Sequence, residues 1–179
     1  MRHPDHGFTL IEAMVVLAVA GIGLGLALPS FSETLERTRA ANAYHLVTAS
    51  MMAARSTAIT RRQPVTLCPS RDGLTCRGDL VWNEGWILFL DPARSGAPAG
   101  PAAVLRRFDP IGKGLGLRSS VGRHHLRYQP SGLSSGSNLS LSLCSARGQV
   151  LLGKVIVNNA GRARTERSSG ATAPCNYTL

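Results

Sequence analysis

The chain has 179 residues, 44% hydrophobic but only 5% aromatic, and a formal net charge of +10 carried by 18 Arg and 2 Lys. That length leaves room for one small globular domain of roughly 100–150 residues beside a membrane stem, with a core built mainly from Leu, Val, Ile and Ala. The charge favours a polyanionic partner, since Arg forks suit phosphate and carboxylate; a plain solubilising surface would carry the same charge.

The chain opens with a short polar leader, Met1–Gly7, containing Arg2, His3 and His6. Apolar character then begins abruptly at Phe8. One acid, Glu12, sits inside the run, and a lone carboxylate at membrane depth is costly enough to be a functional signal. The stretch from Ala13 to Leu28 carries no charge and is just long enough to span a bilayer with help from its flanks. Arg2 would stay cytoplasmic and the bulk of the chain would be translocated.

Gly7-Phe8-Thr9-Leu10-Ile11-Glu12 resembles the processing motif of type IV prepilins and type II secretion pseudopilins. The resemblance implies a leader at residues 1–7 and cleavage between Gly7 and Phe8 by a prepilin peptidase, with N-methylation of Phe8. It also implies an inner-membrane, single-pass helix over residues 8–30 and a periplasmic globular domain over residues 31–179. The assembled filament, extracellular or periplasmic, would consist of this and other pilin subunits. Glu12 would meet the amino terminus of a neighbouring subunit, as a buried charge needs an opposite partner. Pro29 fits the bend such stems often carry. Gly21 and Gly25 form a GxxxG, read equally well as close helix approach or as the ordinary glycine content of membrane helices.

The helix is expected to continue to about Arg61 and to stop before Pro64. Leu35, Ala40, Tyr44, Val47, Met51 and Ala54 recur at helical spacing and predict one apolar face. Beyond Pro64 the pattern changes to short strands and turns. Strands are expected at Val65–Cys68, Trp82–Asp91, Val104–Phe108, Leu126–Tyr128, Asn138–Cys144 and Val150–Asn158. One long N-terminal helix packed against an antiparallel β-sheet is an α+β fold. The stretches LCPSRDGLTC, WILFLD and VLRRF resemble the GspH/FimT family of minor pilins and pseudopilins, whose fold is a long helix on β-sheet.

Cys68, Cys76, Cys144 and Cys175 form no CxxC. Metal-site spacing is absent, and disulfides in an oxidising compartment are expected. Of three possible connectivities, Cys68–Cys76 and Cys144–Cys175 are preferred. The first brackets a short turn-rich segment, and the second would pin the tail.

No metal, cofactor or enzymatic activity is expected. HExxH, GxSxG and paired-carboxylate spacings are missing, and adjacent His124 and His125 would point to opposite sides of a strand. The basic tail is the remaining candidate site. Gly161, Arg162, Arg164 and Arg167 lie close together, with Lys154 and Arg147 upstream. Arg162 and Arg164 would project to one side if extended and suit successive phosphates, with salt-sensitive affinity. Gly161-Arg162-Ala163-Arg164 is similar to a Gly-Arg-x-Arg motif of FimT-type minor pilins, which implies an Arg-rich loop binding DNA in natural transformation. The alternative is a structural minor pilin or type II secretion pseudopilin that primes assembly without touching DNA. Arg118, Arg123 and Arg127 form a second basic set, which extends the patch or faces elsewhere.

Overall fold

The computed structural model describes residues 9–134, 136–145, 150–168 and 175, with the side chains of 24–30, 32 and 33 outside that description. Gly7, Phe8 and Arg147 therefore lie outside the described residues. The chain divides into two compact units, Met1–Thr38 and Arg39–Leu179.

A single helix, α1 (Leu10–Arg61), enters from the first unit and ends in the second. Its backbone remains helical through Pro29. Its end is dictated locally. Arg62 turns into a left-handed conformation (φ 52°), a common helix stop, and Pro64 follows with no N–H to continue the ladder. In the first unit the helix surface is apolar and exposed at Leu10, Ile11, Met14 and Leu17. Among the described residues no helix is long and apolar enough to cross a membrane; the expected span Ala13–Leu28 runs into side chains outside the description.

In the second unit, α1 buries Ala40, Tyr44, Val47, Met51, Ala54 and Ala58. These positions advance by three or four residues and so share one face. Leu35, expected on that face, is instead 39% exposed. Where one sheet was expected, there are two antiparallel four-stranded sheets. The first has the order β3-β2-β1-β5 and the second β4-β6-β7-β8. Their strands are β1 (Val65–Pro69), β2 (Trp86–Leu90), β3 (Val104–Phe108), β4 (Leu115–Ser119), β5 (Leu126–Tyr128), β6 (Leu139–Ser145), β7 (Leu151–Val157) and β8 (Ala163–Arg167). Leu67, Trp86 and Leu88 of the first sheet, and Leu117, Leu141, Leu143 and Val155 of the second, join the helix face in one core. Each such aliphatic side chain, fully buried, contributes about 1.5–3 kcal/mol.

Two strands, β4 and β8, escape the sequence pattern. The strand expected from Trp82 starts only at Trp86, because Gly85 turns the chain with φ 112° and a side chain there would press on the Phe108 carbonyl oxygen. Residues 80–82 instead run beside β4. Trp82 N–H donates to the Leu117 carbonyl at 2.8 Å, and Ser119 N–H to the Leu80 carbonyl at 3.0 Å.

Cys68 is bonded to Cys76 and Cys144 to Cys175. The first bridge draws the β1–β2 loop over the outward side of the first sheet, where Cys68, Ile87 and Phe89 form a second buried cluster with Cys76 and Val104. The second ties residue 175 to β6.

Asp72 organises the bridged loop. Its carboxylate accepts from the Thr75 hydroxyl at 2.7 Å and from the N–H groups of Thr75 and Leu74 at 2.8 Å each. These bonds, the Thr75 hydroxyl foremost, hold its carboxyl well below the usual carboxylate range. A depressed folded-state value stabilises the fold above the unfolded-state value of about 4, and that contribution is lost as pH falls below it. Asp72→Asn is therefore expected to lower the melting temperature at pH 7 and to match wild type increasingly as pH is taken down from 4. Parallel thermal melts at several pH values check this; a constant difference between the two proteins would rule it out.

Candidate nucleic-acid interface

The basic tail is not a loop. Residues 163–167 form β8, an edge strand paired to β7 in the register Val157↔Ala163, Ile156↔Arg164, Val155↔Thr165, Lys154↔Glu166 and Gly153↔Arg167. The register extends one step past the strand, because Asn158 N–H donates to the Arg162 carbonyl at 3.4 Å. Strand residues alternate in facing, so Arg162, Arg164 and Glu166 share the side of Lys154 and Ile156. Arg167 has the opposite parity. It lies with Val155 and Val157 on the α1 side, where its charge works against the burial that pushes the Tyr44 hydroxyl up to about 12. The structure thus brings Arg162, Arg164 and Lys154 together and sets Arg167 apart.

The turn between the strands is closed by its own hydrogen bonds. Gly161 N–H donates to the Asn158 carbonyl at 2.8 Å, and Arg162 N–H to Asn158 Oδ1 at 3.1 Å. Gly161 has φ 72°, the left-handed residue that closes a three-residue hairpin loop. It is buried, and any Cβ there would collide with the Gly132 carbonyl oxygen. Ser134 fastens the turn from below. Its hydroxyl donates to the Asn158 carbonyl at 2.6 Å, and its N–H donates to the Asn159 carbonyl at 3.0 Å. Gly153 has the same tightness on β7: a Cβ would collide with the Glu166 carbonyl oxygen and reach 2.5 Å from the Tyr44 hydroxyl.

The charges are unequally engaged. Arg162 is exposed, and among the described residues its guanidinium has no partner. Arg164 Nη2 meets Glu166 Oε1 at 2.9 Å, with side chains 67% and 51% exposed. Such an exposed pair is worth about 0.2–1 kcal/mol, which a phosphate can displace. Lys154 stands across the ladder from Glu166, within the short cross-strand reach of opposite charges. Three cations and one anion thus share this face.

The second basic set is not one patch. Arg127 lies on β5 of the first sheet, with its Nη2 3.0 Å from Asp91 Oδ2. Arg123 donates to the Gly136 carbonyl at 3.2 Å. Arg118 lies on β4 of the second sheet opposite Ser142, where its charge helps keep the Asp79 carboxyl low, although burial of that carboxyl is the largest influence and opposes it. Glu12, in the first unit, is exposed, and its N–H donates to Thr9 Oγ1 at 3.3 Å.

A family model described as type II transport protein GspH matches residues 43–161, well over half of the chain. A model described as the prokaryotic N-terminal methylation motif matches residues 2–28. Among solved structures, the fold is similar to that of the type IV minor pilin FimU of Pseudomonas aeruginosa strain PAO1 in two crystal forms. In one, identity is 22% and the TM-score 0.61, over 78% of this chain and 97% of that one. In the other, identity is 24% and the TM-score 0.55, over 74% and 96%. No curated protein matches the chain.

Proposed function

The chain belongs to the GspH family of type II transport proteins and carries a prokaryotic N-terminal methylation motif, and from that premise we propose that it is a minor type IV pilin that binds DNA without sequence preference, serving DNA uptake in natural transformation. The observation that carries this reading is the hydrogen-bonded β7–β8 hairpin, whose register sets Arg162 and Arg164 on one exposed face with Lys154 beside them. A backbone already held before binding has little freedom to lose on meeting phosphates, and the planar guanidinium fork gives up less per hydrogen bond than a jointed group would. Binding would be dominated by counterion release and would fall steeply with salt.

The same proposal takes Gly7–Phe8 as the cleavage and methylation site and Glu12 as the partner of a neighbouring subunit's amino terminus. The chain would wait in the inner membrane with its globular domain in the periplasm until assembly. A second reading, a structural minor pilin or pseudopilin that ignores DNA, draws on one observation: Glu166 already occupies the Arg164 fork.

A gel shift separates the two readings. The full chain in nonionic detergent should retard mixed-sequence duplex DNA at low salt, and no retardation would leave the structural reading. Glu166→Gln should tighten binding by roughly 1.5- to 5-fold, the worth of an exposed ion pair that no longer competes. Unchanged or weaker binding by that variant would count against the face as the contact surface.

A further inference from the structure

The register of the second sheet fixes what its outward face carries. Leu139, Leu141 and Leu143 of β6, and Val155 and Val157 of β7, are buried in the core. Ser140, Ser142, Lys154 and Ile156 alternate with them and face the other way, each half-buried. Ser142 stands opposite Lys154, and Ile156 lies between Ser140 and Arg164. Lys154 and Arg164 are thus diagonal neighbours on adjacent strands, about 7–8 Å apart, with Ser142 about 5 Å beyond Lys154. The hydroxyls of Ser140 and Ser142 make no hydrogen bond among the described residues, whereas those of Ser134 and Ser137 are bonded within the domain. Lys154 likewise makes no ion pair among the described residues. A polyanion held by Arg162 and Arg164 has two ways onward from the hairpin. Straight along β8 it meets the Glu166 carboxylate, and like charges repel. Across the sheet it meets a cation and then an unengaged hydroxyl.

We infer that bound DNA crosses the outward face of the second sheet obliquely, its backbone running from Arg162 and Arg164 on β8 over Lys154 on β7 to Ser142 on β6. The inference rests on the DNA-binding reading of the hairpin. It adds a direction to that reading and a contact on a strand far from the tail in sequence. Serine hydroxyls are ordinary donors to backbone phosphates. Arg118, opposite Ser142 on β4, already acts on the Asp79 carboxyl, so the line ends at β6. The competing account is that these serines are only the solvated side of a sheet with one buried face, and that DNA touches the hairpin alone.

The test is a salt series of duplex binding, over about 50–200 mM salt, using the full chain in nonionic detergent. Ser142→Lys puts a cation on the inferred path and should steepen the slope of log K against log salt by about 0.9, tightening binding about 8-fold at 0.1 M. Ala93→Lys adds the same charge at an exposed position between β2 and β3 of the first sheet, off the path, and should leave the slope unchanged. Lys154→Gln should flatten the slope by about 0.9 without asking β6 to accept a longer side chain, and it decides the matter if Ser142→Lys melts early. Three results overturn the oblique path alone, provided Arg162→Gln still weakens binding: an unchanged slope in a Ser142→Lys protein that melts like wild type, equal steepening by both Lys variants, or an unchanged slope in Lys154→Gln. Absence of wild-type binding overturns the DNA reading and this inference together.

Discussion

Replacing Arg162 and Arg164 together by Gln is expected to weaken duplex binding about 60-fold at 0.1 M salt and to flatten the salt dependence by almost two units. The arithmetic follows from counterion release: a contacted phosphate contributes a slope of about −0.9, hence about 8-fold per contact at 0.1 M relative to 1 M. Both side chains stand on the exposed face of an edge hairpin, and neither is packed in the core. Their removal should leave the thermal melt within a degree or two of wild type. Single variants should each show about half the effect on a logarithmic scale, with Arg164→Gln the smaller because Glu166 already engages that fork. A double variant that binds with wild-type affinity and slope would eliminate the hairpin as the site. A double variant that also unfolds early would show that the charges serve the fold.

Asp91→Ala is expected to destabilise the globular unit by about 3–5 kcal/mol, the usual result of removing one partner from a buried ion pair. The aspartate is only 2% exposed. Its Oδ2 accepts from Thr66 Oγ1 at 2.8 Å, from Arg127 Nε at 3.0 Å and from the Gly96 N–H at 3.2 Å. Its Oδ1 accepts from the Ser95 N–H at 2.8 Å. Truncation strands the Arg127 guanidinium in a largely dry site and leaves two loop N–H groups unpaired. It also cuts the link between the 91–103 loop and strands β1 and β5, which Thr66 and Arg127 join through their own pairing. Since small domains are stable by only about 5–15 kcal/mol, this is a large fraction of the total. Urea unfolding monitored by tryptophan fluorescence measures it through the shift in midpoint. A midpoint within experimental scatter of wild type would show that the network is dispensable. DNA binding measured below the new midpoint should be unaffected, because Arg127 belongs to this network and not to the hairpin face.

The sequence reveals the helix and its end because both are local: a 3.6-residue apolar stripe and the Pro64 stop. It reveals β6 and β7 for a similar reason, since Leu139, Leu141 and Leu143 alternate with serines. It hides β4 and β8. Leu115–Ser119 contains Gly116 and follows Gly112 and Gly114, which read as loop. Ala163–Arg167 has no apolar alternation at all, because an edge strand is held by its backbone ladder to β7 and exposes most of its side chains. Charged residues on such an edge also discourage unwanted pairing. At the site, the common facing of Arg162 and Arg164 was legible from their spacing alone. The separation of Arg167 was not, because it depends on β8 being a strand.

The two disulfides close independent rings. They link cysteines that are neighbours in sequence order, at separations of 8 and 31 residues, so their covalent rings do not overlap. Loop closure favours short separations, and the effective concentration of one thiol at another is highest for Cys76 near Cys68. The earliest encounter is thus already the native one. A chain delivered to an oxidant from its N-terminal end can close the first ring before the second pair of thiols arrives, and neither ring has to open for the other to form. Oxidative maturation can therefore run in one direction along the chain, with little call on an isomerase to correct mispaired intermediates.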